Sequence, residues 1–67
     1  MNEERPDLDA IEGRVRQALR DRRVRLVSDR TGISTRTIYN IISGARAPRA
    51  ATLMVLADYL GVREADR

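Results

Sequence analysis

Sixty-seven residues, with no cysteine and no histidine, make a single domain that must be held by side-chain packing, because disulfides and Cys/His zinc sites are excluded. The net charge of +3 is unevenly spread: residues 1–12 carry −4, residues 13–49 carry +8 and residues 50–67 carry −1. The only carboxylates in the globular part, such as Asp21, Asp29 and Asp58, stand as lone surface charges, so no catalytic site, metal, cofactor or small-molecule substrate is expected.

All of the positive charge is arginine. A positive field in the middle of the chain is what a face meeting a polyanion carries. Arginines solvating helix faces explain the same numbers, so charge alone leaves a nucleic-acid partner open. No apolar run approaches the ~20 residues of a membrane span, and the polar, acidic start does not suit a signal peptide. A soluble, intracellular protein is expected.

Residues 1–7 read as a flexible acidic N-terminus. A first helix is predicted over 8–22 from the stripe Leu8, Ile11, Val15, Ala18 and Leu19, with Asp7 as its N-cap. Gly13 falls within it on the polar side, where it costs up to ~1 kcal/mol against Ala. Arg14, Arg16 and Arg20 fall on the outer face, and most are expected to be solvated. A second helix is predicted from Val24 to Thr31, closed by Gly32. A third runs from Thr35 to Ser43, closed by Gly44, and a fourth from Ala50 to Leu60, closed by Gly61. Glycine at these positions supplies the left-handed residue that commonly follows a helix. The third helix has the clearest start, with Ser34 as N-cap and Ile33 placed to staple onto Ile38. Ile33, Ile38, Ile41 and Ile42 then turn inward, leaving Thr35, Arg36, Thr37, Tyr39, Asn40 and Ser43 outside. The inward residues Leu53, Leu56, Ala57 and Leu60 complete an all-α reading.

The run Gly32-Ile33-Ser34 followed by Thr37-Ile38 and Gly44, then Pro48, then Leu53-x-x-Leu56-Ala57-x-x-Leu60-Gly61-Val62, resembles the phage repressor and Cro family of helix-turn-helix domains. The resemblance covers roughly residues 8–62. It implies a compact four- to five-helix lambda-repressor-like bundle over those residues, with 63–67 as a C-terminal tail. It also implies a homodimer on a double-stranded DNA operator, acting as a transcriptional repressor in the bacterial cytoplasm or nucleoid; the few apolar residues left over for pairing predict a monomer when free. Base-reading positions fall on Thr35, Arg36, Thr37 and Asn40, the recognition segment being about 35–42. Phosphate-binding positions are Arg23, Arg25, Ser34, Tyr39, Ser43, Arg46 and Arg49. The residues available for pairing two copies are Pro48, Met54, Val55, Tyr59 and Val62.

The chain departs from the family pattern at several points. Ser28 replaces the small Ala of the second helix, and Val27 the common Leu. Arg23 and Val24 stand where a hydroxyl cap and a DNA-touching Gln are usual, and Arg49 replaces the usual Ser cap of the fourth helix. The family's fifth helix is expected to be absent or reduced to a turn. The competing reading is a protein-interaction module of antitoxin- or antirepressor-like kind. Such a module would carry apolar anchors on the outer face of the third helix, where this chain has Thr, Arg, Thr and Asn.

Overall fold

The computed structural model describes residues 8–62. The acidic N-terminus with the expected cap Asp7, and the tail over 63–67, lie outside the described residues. Four helices follow in order: α1 (Leu8–Leu19), α2 (Val24–Thr31), α3 (Thr35–Ser43) and α4 (Ala50–Leu60). There is no strand among the described residues. The architecture is an all-α four-helix bundle of lambda-repressor-like form.

The bounds of α2, α3 and α4 agree with those predicted, whereas α1 ends at Leu19 rather than at residue 22. Beyond Leu19, the amides of Arg20, Asp21 and Arg22 donate to the carbonyls of Gln17, Ala18 and Leu19 at 3.3, 3.3 and 3.0 Å. These are the i to i−3 bonds of a tightened final turn. Leu19 is the last residue that α1 gives to the core, and Arg20, Asp21 and Arg22 are all exposed, so no packing extends the α-helix further.

Helix α1 packs on α4 and on α3, while α2 packs on α3 and less extensively on α4. The core takes Ile11, Val15 and Leu19 from α1, Val27 from α2, Ile38 and Ile41 from α3, and Leu53, Leu56 and Ala57 from α4. Ile33, Ile42 and Leu60, expected inside, sit half-buried at its rim with Val24, Tyr59 and Val62. Full burial of a branched aliphatic side chain contributes roughly 1.5–3 kcal/mol. Helix α2 has one such residue, Val27, so its placement relies heavily on the turn that joins it to α3.

Candidate nucleic-acid interface

That turn is built from three residues. Gly32 has φ 78° and ψ 5°, and its amide donates to the Ser28 carbonyl at 2.8 Å. An added Cβ at Gly32 would meet nothing within 4 Å, so the requirement for glycine is the left-handed backbone itself and not crowding. Thr31 closes the turn from the other side. Its hydroxyl donates to the Val27 carbonyl at 2.7 Å and accepts from the Ile33 amide at 3.2 Å. Ser34 then caps α3, its Oγ accepting from the Thr37 amide at 3.2 Å. The Ser34 hydroxyl hydrogen goes to the Thr37 Oγ1 at 3.0 Å, which leaves the Thr37 hydroxyl hydrogen available to an outside acceptor.

Nine residues of α3 extend about 13 Å, comparable to the ~12 Å width of a B-DNA major groove. Ile38 and Ile41 face the core. Thr35, Arg36, Tyr39 and Ser43 are exposed, and Thr37 and Asn40 are half-exposed. The C-terminal end is also closed by hydrogen bonds. Gly44, at φ 79°, donates its amide to the Asn40 and Ile41 carbonyls. The Ser43 hydroxyl donates to the Asn40 carbonyl and accepts from the Ala45 amide, both at 3.2 Å. Its hydroxyl hydrogen is therefore engaged within the protein.

An open groove of about 430 Å³ runs beside the second half of α3, lined among others by Thr37, Asn40, Arg46, Pro48, Arg49 and Thr52. Two positions expected to read bases and two expected to bind phosphate thus share one concavity. Arg36, Thr35 and Tyr39 are not among its lining residues. Arg46 and Arg49 are exposed, as are Arg23 and Arg25 at the start of α2. Arg23 and Arg49 occupy the N-cap positions of α2 and α4, and neither helix has a side-chain cap there. The first-turn amides of a helix lacking such a cap are donors that suit an anion. Of the residues assigned to pairing, Met54 and Val55 are exposed, whereas Tyr59 and Val62 are half-buried against the core.

A family model described as helix-turn-helix (HTH_3) matches residues 14–66. The chain belongs to this helix-turn-helix family. No curated protein and no solved structure gives a match. Membership in the helix-turn-helix family gives the α2–turn–α3 unit DNA-binding potential. Among the described residues no helix is long and apolar enough to cross a membrane.

Two residues of this helix-turn-helix domain were not foreseen in the roles they take. Thr31 seals the turn, and a Thr directly before the glycine is the signal that points to it. Arg16, expected on the outer face of α1, is instead partly buried and reaches across to α3: its Nε donates to the Ile41 carbonyl at 2.7 Å. No local sequence signal marks that contact, because the partners are 25 residues apart.

Proposed function

We propose that this domain binds double-stranded DNA sequence-specifically through the major groove and acts as a transcriptional repressor of phage or prophage type. The observation that carries the reading is the outward face of α3, where Thr37 and Asn40 line a groove together with Arg46 and Arg49 while Arg36 stands exposed outside it. Arg36 offers two donors to the O6 and N7 of guanine, and Asn40 accepts from the N6 amino group of adenine and donates to its N7. Thr35 and Thr37 supply shorter contacts alongside. Arg46 and Arg49 neutralise phosphates on one side and Arg23 and Arg25 on the other, and Tyr39 adds a hydroxyl contact. The hydroxyl hydrogens of Ser34 and Ser43 are spent on the Thr37 Oγ1 and the Asn40 carbonyl, so neither serine side chain donates to a phosphate. Two copies bind half-sites about one helical turn apart, pairing through Met54 and Val55 with Pro48, Tyr59 and Val62 around them.

Selection of duplexes from a random DNA pool, followed by affinity measurement against salt, tests this reading. A two-fold symmetric motif is expected. With about four to six phosphate contacts per subunit, log K falls against log salt with a slope near −0.9 per contact. Arg46→Ala and Arg49→Ala each make that slope shallower by about 0.9 and weaken all sequences alike. No enriched motif, or an affinity indifferent to salt, would overturn the proposal.

A further inference from the structure

A helix that docks against another molecule must be held at a fixed rotation about its own axis. The first half of α3 is held by its Ser34 cap and by the buried Ile38. The second half lacks one usual support. Its last turn has no basic residue to offset the partial negative charge of its terminal carbonyls. The positive charge comes from α1 instead. The Arg16 Nε donates to the Ile41 carbonyl at 2.7 Å, shorter than the 3.2 Å bond that the same oxygen accepts from the Gly44 amide. An Nη of Arg16 is held by the Glu12 Oε2, also at 2.7 Å and one turn back on α1. The two side chains are only 27% and 21% exposed, so the pair is less screened by solvent and salt than an ordinary surface ion pair. The guanidinium fork is filled on one side by a carboxylate and on the other by a helix terminus.

We infer that Arg16, oriented by Glu12, is a positioning residue that fixes the second half of the recognition helix, and with it Asn40. The inference rests on α3 being the helix that reads DNA. Ile41 directly follows Asn40 in the same turn of α3, and both line the one groove. A clamp on the Ile41 carbonyl therefore restrains the turn that carries Asn40. Arg36 stands one turn earlier, beside the Ser34 cap, and is restrained by a separate device. Loss of Arg16 accordingly loosens the reading of one base pair more than the other. The competing role for an arginine near this face, direct contact with a phosphate, predicts the opposite response to removal of Glu12. A phosphate ligand freed from its carboxylate binds DNA more tightly, whereas a clamp deprived of its anchor binds the chosen site less tightly.

Two measurements test the inference, one without DNA. In the free protein, amide hydrogen exchange in R16Q is expected to accelerate roughly fivefold or more at Gly44 and Ala45, relative to Gly32 at the corresponding end of α2. On DNA, R16Q is expected to lose about tenfold in affinity for the selected duplex and little on random duplex, the loss falling at the base pair that Asn40→Ala also relaxes. E12Q is expected to lower selected-site affinity severalfold while leaving random-duplex binding equal or tighter, and R16K to recover part of what R16Q loses. Tighter binding of E12Q to both duplexes, or unchanged exchange at Gly44 and Ala45 in R16Q, would overturn the positioning role. If the unaltered protein selects no sequence, the DNA reading falls by itself, and the exchange measurement still decides whether the clamp exists.

Discussion

Helices α3 and α4 are of similar length and each presents one face to the same core, yet their other faces and their ends differ in kind. The outward residues of α3 are Thr35, Arg36, Tyr39 and Ser43, with Thr37 and Asn40 at the edge. Both of its ends are closed by hydrogen bonds, from Ser34 at the start and from Gly44, Ser43 and Arg16 at the finish. The outward face of α4 carries Met54 and Val55, 42% and 45% exposed, and its start has an arginine at the N-cap and no side-chain bond. Polar groups displayed on a helix closed at both ends suit recognition of hydrogen-bonding base edges. An apolar outer face suits another protein surface, and an open helix start beside two arginines suits an anion. The two helices thus differ in surface chemistry more than in burial.

The sharpest way to break this comparison is to strip the outward face of α3. Arg36→Ala and Asn40→Ala are each expected to cost about 1–3 kcal/mol on the selected duplex and little on random DNA, with Arg36 the larger. Both side chains leave the core untouched, so urea unfolding should be nearly unchanged. Competition assays with the two duplexes measure the difference. Equal losses on both would reassign the residue to phosphate and leave α3 no more specialised than α4.

A smaller effect concerns the joint that delivers α3 to its place. Gly32→Val is expected to destabilise the fold by somewhat more than ~1 kcal/mol, because a β-branched residue is forced to positive φ. Gly32→Asn should cost distinctly less, since a short polar side chain tolerates that region. The open space around a Cβ at this position makes the pair of variants a clean reading of backbone strain. Urea midpoints that shift equally for Asn and Val would show that the turn fails for another reason.

What could be read in the sequence follows a physical division. The Ser34 cap, the glycines after three helices and the 3- and 4-residue spacing of Ile38, Ile41 and Ile42 are local signals, each carried within one turn of chain, and they placed α2, α3 and α4 correctly. The predicted end of α1 at residue 22 lies beyond the observed one at Leu19 because Asp21 and Arg22 are compatible with a helix that has nothing left to bury. Ile33, Ile42 and Leu60 read as inward yet sit at the rim, since periodicity gives direction but not depth. The sharing of one groove by Thr37, Asn40, Arg46 and Arg49, with Thr52 added from α4, depends on how α4 approaches α3. The Arg16 contact depends on how α1 approaches α3. Both are properties of packing between segments, and neither has a spacing rule that would reveal it beforehand.

The smallest expected effect on stability, and the one that tests the α4 half of the comparison, comes from its outward face. Met54 and Val55 are the exposed large apolar residues of that helix, and a standard stable interface buries about 800 Å² on each partner. Two side chains with a half-buried rim of Pro48, Tyr59 and Val62 fall well short of that, so free copies should not associate at micromolar concentration. DNA changes the arithmetic without changing the contact. Two copies on adjacent half-sites are held at an effective concentration that approaches the millimolar range of short tethers, where even a weak apolar contact is occupied. The double variant Met54→Ser, Val55→Ser should therefore shift the urea midpoint by the equivalent of no more than ~0.5 kcal/mol, as for surface positions generally. It should abolish cooperative loading of the second copy on a two-site duplex while leaving the affinity for a single half-site intact. Sedimentation of the free protein beside a titration on one-site and two-site duplexes separates these quantities. A stable dimer in the absence of DNA, or undiminished cooperativity in the double variant, would mean that pairing uses a surface other than α4, and that its exposed methionine and valine are a solvated face with no partner.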